Sequence, residues 1–287
     1  MAFNNLRKLA VFALSAAMIV SLGACGTSEK SDSAASSDSE SSSNTTGYDV
    51  SGVTKDDDIA AMLPESVTKD GKLTVGMDTS YAPAEFLAED GKTPVGFDVD
   101  IAKALANMFG LEVVPQTSNF DSIIPSIGTK YDIGISSFTI TPERMEAVDF
   151  VSMFKAGSTW VVKKDNPNKV ATSDLCGLKI AVQTGTTQEE EVNAAAKQCK
   201  ADVFYADSPV AGYAIAQTED TLEALGEDVG VTKEAVAIKK GDSDTAKAVQ
   251  AALQKLMDDG TYMRILKHWG VENGAIDKAE INPTALG

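Results

Sequence analysis

Residues 136–144, "SSFTITPER", set Ser136, Ser137, Thr139 and Thr141 just ahead of Arg144, in a chain whose formal net charge is -17. Pro142 and Glu143 suit a first helical turn and Thr141 suits its N-cap, which puts Arg144 at the third helical position. The stretch thus reads as a strand end that delivers hydroxyls and free backbone N–H groups to a helix start. Such a terminus favours an anion, and an arginine fork beside it can grip a carboxylate through two bonds. Spacing alone equally allows a plain capped helix, with Arg144 paired to Glu146 or Asp149 on the surface.

"QTGTTQEE", residues 183–190, repeats the arrangement, with Gly185 for the tight turn and Thr186 and Thr187 at a helix start. "ADSPVAG" then places Asp207 at the end of a later strand with a proline just behind it. An acid there caps the helix or meets a cation. Facing each other across a cleft, Arg144 and Asp207 would complement a zwitterion.

The residue inventory disfavours other chemistry. His268 is the single histidine, so a Ser-His-Asp or Cys-His system has one candidate, and it sits among Ile265, Leu266 and Trp269 at helical packing spacing. A zinc site would have at most one imidazole. Neither a Walker loop nor a GxGxxG fingerprint is present, and no cofactor is expected.

The elements that must carry these residues alternate. "KLTVGM" from Lys72 reads as a strand, "DVDIAKALANMFG" as a helix ended by Gly110, "LEVVPQ" as a strand, "FDSIIPSIG" as a short helix and "YDIGIS" as a strand running into Ser136. Ile59–Leu63 reads as a further short helix. After Met145 the rhythm restarts with "STWVVKK", "LKIAV", a helix over 186–200, "ADVFYA", a helix over 209–217 and "AVAIKK". A long amphipathic helix over 243–258 precedes "TYMRILKHWG". The fold class is α/β, two units of mostly parallel sheet flanked by helices. Ligands of such sheets bind beyond the carboxyl ends of the strands, hence at the loops after "KLTVGM", "YDIGIS", "LKIAV" and "ADVFYA".

The N-terminus has a different character. Arg7 and Lys8 precede an apolar run from Leu9 to Leu22, too short for the roughly 20 residues of a membrane span. "LGAC" follows, so residues 1–24 read as a lipoprotein signal and Cys25 as the lipidated first residue. Residues 25–50 read as a lipid anchor and a disordered Ser-rich linker. Loss of Arg7 and Lys8 would leave the chain more acidic still, which argues against nucleic acid as a partner. Cys176 and Cys199 are either an exported protein's disulfide or two separate buried thiols, with no catalytic part in either case.

"GFDVDIAKALA", "FDSIIPSI", "YDIGISSFTITPERMEAVDF", "VQTGTTQE", "ADSPVAGY" and "LMDDGTYMRILKHWG" together resemble the family 3 extracellular solute-binding proteins, receptors of polar amino acid ABC importers. The resemblance runs from Lys72 to about Ile281. It implies a two-lobed, type II periplasmic-binding-protein fold of Venus-flytrap form, lobe 1 over 72–157 plus 241–287 and lobe 2 over 158–240 with the hinge strands. It implies that Arg144 clamps the ligand carboxylate with help from Ser136, Ser137, Thr139, Thr186 and Thr187, and that Asp207 takes the ammonium. It also implies that Tyr81 and Phe120 wall the ligand side chain and that Asp78 contacts its polar end. The implied partners are a free amino acid, polar or cationic, an ABC permease and, through the lipid, the outer face of the cell membrane, for a monomeric receptor. Cys176 and Cys199 resemble a pair common in such receptors of high-GC Gram-positive bacteria, which implies the disulfide.

Two departures from the family pattern stand out. Ala84 replaces the usual Phe in "YAPAEF". "CKADVFYADSP" runs almost directly from Cys199 to Asp207, where the family has on the order of 25 further residues of βα unit, so lobe 2 is expected to be shortened. Some relatives of the scaffold dehydrate or isomerise cyclic acids, and Glu85 is the nearest acid for such catalysis. A surface sensor is the other alternative.

Overall fold

The structure, a computed structural model, describes residues 45–175, 178–195, 203–218 and 220–284. The expectations for the signal, for Cys25 and for the Cys176–Cys199 pair lie outside those residues.

In chain order the elements are α1 (Asp57–Ala60), α2 (Glu65–Thr68), β1 (Lys72–Met77), β2 (Ser80–Tyr81), β3 (Glu85–Leu87), β4 (Pro94–Val95), α3 (Phe97–Phe109), β5 (Glu112–Thr117), α4 (Phe120–Ile123), β6 (Ile133–Thr139), α5 (Pro142–Ala147), β7 (Val148–Lys163), β8 (Ile180–Ala181), α6 (Thr187–Ala195), β9 (Val203–Asp207), α7 (Ser208–Ala216), β10 (Leu222–Ala224), β11 (Val229–Lys239), α8 (Ser243–Asp258) and α9 (Thr261–Trp269). The α3 stop falls where expected: Gly110 takes φ +71°, a left-handed cap that glycine adopts without steric cost. The first helix starts two residues earlier than its apolar pattern suggests, because the Asp56 side chain accepts from the N–H groups of Asp58 and Ile59.

The main sheet runs β5-β1-β6-β11-β7-β9-β8, with β10 paired to β7; β2, β3 and β4 make a separate small sheet. Pairing is parallel for β1 with β5 and with β6, and for β8 with β9. The joins are antiparallel, β11 to β6 and β7, and β7 to β9. The parallel runs are those the alternation of strands and helices requires, whereas the antiparallel strands make the whole sheet mixed. Strand β7, 16 residues long, and β11, 11 residues long, run through the middle of this sheet and join its parallel runs. Glu234–Lys239 of β11 pair with β7 on one side, while Glu234, Ala235, Ala237 and Ile238 pair with β6 on the other. Pro115 sits in β5, at the sheet's edge, where a missing N–H costs no ladder bond.

The large core gathers α3, α8 and α9 on the sheet, with Leu73, Val75, Ile101, Leu105, Val249, Leu253 and Leu266 fully buried. A second cluster around Phe138 and Phe150 lies under α4. A third, small core forms around Trp160, which stacks on Tyr205 with ring centroids 3.7 Å apart. There β8, only two residues long, ends the strand order.

The linker expected to run to residue 50 ends sooner. Tyr48 N–H donates to Asp100 Oδ2 at 2.7 Å and the Asn107 side chain donates to the Val50 carbonyl at 3.0 Å. Tyr48 and Val50 supply the apolar contact that the Ser-rich stretch lacks, and both pack against the large core. His268 serves this docking, its Nε2 lying 2.7 Å from the Thr46 carbonyl.

Candidate functional site

Four strand ends converge on one small cavity. Its lining is Tyr81, Phe120, Ser137, Thr139, Arg144, Gln183, Thr186, Thr187, Gln188 and Asp207, around a volume of about 10 Å³. Tyr81 follows β1, Ser137, Thr139 and Arg144 lie at or just past the end of β6, Gln183 to Gln188 follow β8 and Asp207 ends β9, at the four places the sheet pattern singles out, while Phe120 enters α4 after β5. Eight of the expected site residues line it; Asp78 and Ser136 stand just behind.

Thr141 caps α5 as expected, its hydroxyl accepting from Arg144 N–H at 3.1 Å. The guanidinium turns away from Glu146 and Asp149. Its Nη1 donates to the Thr139 carbonyl and its Nη2 to the Gly185 carbonyl, each at 2.9 Å, and it lies 5.4 Å from the Phe120 ring centroid. Asp149 instead meets Lys240 at 2.9 Å. Burial lowers the Arg144 pKa from its ordinary value, and the charges of Glu190, Asp207, Glu143 and Glu234 oppose that shift. Gly185 must be glycine: φ is +82° and a Cβ there would stand 2.9 Å from Asp121 Cβ, so this loop of the second lobe lies directly on α4.

Asp207 occupies the N-cap position of α7 yet makes no capping bond. Its Oδ2 accepts from the Tyr81 hydroxyl at 2.9 Å and its Oδ1 from Gln188 Nε2 at 2.7 Å. Gln188 also donates to Ser158 Oγ at 2.8 Å. Of the two uses open to this acid, the structure excludes capping. Burial pushes Asp207 up to about 6, against the lowering effect of Tyr81, Gln188 and the Arg144 charge. Burial, with the Asp207 charge second, also pushes the Tyr81 phenol well above its usual value.

Asp78 braces the site. Its Oδ2 accepts from Phe120 N–H at 3.0 Å and from Gln183 Nε2 at 3.1 Å, and its Oδ1 from Ser80 Oγ at 2.7 Å. Phe120 packs its ring on Phe138 at 5.1 Å. The hydroxyls divide between two tasks. Thr186 Oγ1 donates to the Gln183 carbonyl at 2.7 Å and accepts from Glu189 N–H at 3.1 Å, which fixes the start of α6, while Thr187 Oγ1 donates to Gln188 at 3.3 Å. Ser136 Oγ donates to Glu85 Oε1 at 2.5 Å and accepts from Asp78 N–H at 3.0 Å. Ser137 adopts φ +46°, rare for a side chain other than glycine, and its N–H donates to Asp98 Oδ2 at 2.8 Å.

Behind Ser137 lies a group of buried acids that sequence reading did not assemble. Glu85, Asp98 and Glu234 are 0%, 0% and 2% exposed. Glu85 Oε2, Asp98 Oδ1 and Glu234 Oε2 have no partner among the described residues. Burial pushes Glu85 well up, with the Asp98 charge adding to it, and pushes Asp98 up to about 6. Burial raises Glu234 too, with Asp207 and Asp98 adding to it. Glu85 does not line the cavity, and neither does Ala84, which is fully buried.

Gln183 and Gln188 were missed as site residues. A glutamine at or just before a helix start reads as ordinary solvated surface, and the one sequence signal was their place inside "QTGTTQEE". Among the described residues no group of three His, Cys, Asp or Glu side chains could hold a metal ion, and no helix is long and apolar enough to cross a membrane.

Comparison with known proteins gives the lineage. An arginine-binding protein of Corynebacterium glutamicum is 33% identical over 258 residues, covering 80% of this chain and 84% of that protein. An L-cystine-binding protein of Escherichia coli is 30% identical over 228 residues, 72% of this chain and 85% of its own. Among solved structures, a mutant of the arginine-binding protein from T. maritima superposes with a TM-score of 0.68 at 33% identity, over 72% of this chain and 98% of the other. A family profile described as bacterial extracellular solute-binding proteins, family 3, matches residues 73–272, and the chain belongs to that family.

Proposed function

We propose that the protein is a lipid-anchored, extracytoplasmic receptor that closes two lobes over one free amino acid and presents it to an ABC importer. The observation that carries this reading is that Arg144 and Asp207, a cation from one lobe and an acid from the other, line the same cavity. A carboxylate offers the Arg144 fork what the carbonyls of Thr139 and Gly185 offer it now, with full charge added. An α-ammonium offers Asp207 what the Gln188 amide offers it. Only a ligand bearing both groups satisfies both lobes, so binding favours closure through its differential affinity for the closed state.

In this reading the division into lobes falls inside β7 and β11, which act as the hinge strands, and Cys25 holds the receptor at the outer face of the membrane. The short second lobe keeps its half of the site, since Thr186, Thr187, Gln188 and Asp207 all line the cavity. Arginine is the first ligand to try, because it is what the arginine-binding relatives are named for and Asp78, held by Phe120 N–H at 3.0 Å, puts a carboxylate just behind the cavity wall. Binding rather than catalysis is supported by the relatives, which are named as binding proteins, and by Glu85, the acid available for catalysis, which lies outside the cavity lining.

Thermal unfolding against a panel of amino acids tests the proposal. A ligand at about 100 times its Kd adds roughly 2.7 kcal/mol, so one or a few members of the panel should raise the transition by several degrees. A cooperative transition that no amino acid moves would refute the receptor reading.

A further inference from the structure

One ring contact joins the two lobes outside the ligand cavity. Phe86, on β3 of the small sheet, meets Tyr213 of α7 with centroids 5.8 Å apart. Neither ring lines the cavity. The contact sits in an apolar seam, for Ala206 and Val210 of the second lobe share one buried cluster with Tyr81 and Ala84 of the first, and Phe86 packs against it.

The half contributed by the first lobe is held firmly. Phe86 stands edge-on to Trp269 at 5.7 Å and 82°. The Trp269 indole N–H donates to Asp100 Oδ2 at 2.8 Å, the oxygen that also accepts from Tyr48 N–H. Lys103 closes on the other Asp100 oxygen at 3.2 Å. Trp269 is therefore a fixed backstop, 8% exposed, whereas Tyr213 rides on α7, which packs on β7, β9 and β10 and moves with the second lobe.

We propose that Phe86 and Tyr213 form a closure latch, an aromatic contact that exists only when the lobes are shut and stabilises that state whichever ligand is held. The inference rests on the receptor reading for its ligand, though not for the contact. A latch outside the cavity contributes equally to every ligand, so its loss lowers all affinities together and leaves their order alone. A wall of the side-chain pocket would change the order. Phe86, Trp269 and Tyr213 are positioning residues in this scheme and touch no ligand.

The test uses the full chain and its Phe86→Leu and Tyr213→Ala variants. Phe86→Leu keeps an apolar side chain in the seam, and Tyr213 is half-buried on a helix face, so both variants should fold; circular dichroism checks this. Small-angle scattering of the ligand-free proteins reads lobe separation, and calorimetric titration with arginine, lysine and glutamine reads affinity. The latch predicts a larger scattering radius, or a roughly two- to tenfold weaker Kd for each amino acid that binds, with the order preserved and the double variant no worse than either single one. Unchanged radius together with unchanged affinities overturns it, and so does a changed order of preference. If none of the three amino acids binds the parent protein while the variants still expand, the latch stands and the amino acid reading falls.

Discussion

Raising the pH from 5 to 7 should destabilise this protein, and the buried acids fix both the sign and the size. Asp98 and Asp207 each stand at about 6 in the folded chain, against about 3.9 for an unfolded aspartate. A carboxyl whose folded value is raised binds its proton more tightly in the native state. Its stabilisation is fully present below the unfolded value and is lost as pH rises through about 6. Between pH 5 and 7 each group gives up about 1 kcal/mol, so the pair gives up roughly 2–3 kcal/mol. For a chain of this length that is a fall in Tm of about 5–10 °C. Glu85 and Glu234, also pushed well up by burial, add to the fall with the same sign. The carboxylates held below their ordinary value, such as Asp149 beside Lys240, work in the opposite sense. Their stabilisation is present above the unfolded value and is lost as pH falls through the lower folded value, below this window. Urea unfolding at pH 5, 6 and 7 measures the slope. Asp98→Asn, which keeps an oxygen for the Ser137 N–H, should remove about half of it. A stability that rises from pH 5 to 7, or an Asp98→Asn variant with an unchanged slope, would refute the assignment of these groups as carboxyls raised by burial.

Other outcomes follow from single contacts. Arg144→Ala should weaken binding of every α-amino acid by at least about 100-fold, since it strips a charged, two-bond partner from the ligand carboxylate; calorimetry reads the loss. Gly185→Ala meets both a left-handed φ and the side chain of Asp121, so affinity should fall about tenfold and the ligand-free unfolding midpoint should fall by roughly 2–4 °C. Trp160→Ala removes the ring stacked on Tyr205 and should cost about 3–5 kcal/mol, a large share for so small a core, read as a low-temperature transition or as protease sensitivity confined to the second lobe.

The parts of this account legible in the sequence are those set by local rules. Thr141, Pro142 and Arg144 could be placed because a cap, a first-turn proline and the third helical position are fixed by neighbours in the chain. Gly110 and the parallel strands could be read for the same reason. What the sequence hid depends on partners far away in it. Glu234 looks like a surface acid until β11 brings it near Asp98, Glu85 looks like an acid open to the cleft until β3 buries it beside Asp98, and Gln188 looks like a solvated helix residue until Asp207 comes within 2.7 Å. Only the second part of strand β7, "STWVVKK", reads as a strand, because the pairing of its first part with β11 shows only in the folded sheet. Ala84 stands where the family pattern has Phe, yet it is buried outside the cavity lining; a missing side chain cannot reveal by itself which space it vacates.

The central claim is that the two lobes read the two charges of an α-amino acid, Arg144 the carboxylate and Asp207 the ammonium. Calorimetric titration with arginine, with its decarboxylated amine agmatine and with the analogue lacking the α-amino group tests this directly. The account predicts binding of arginine and a loss of at least about 100-fold for each of the other two. Comparable binding of agmatine, which keeps the guanidinium and lacks the carboxylate, would contradict it.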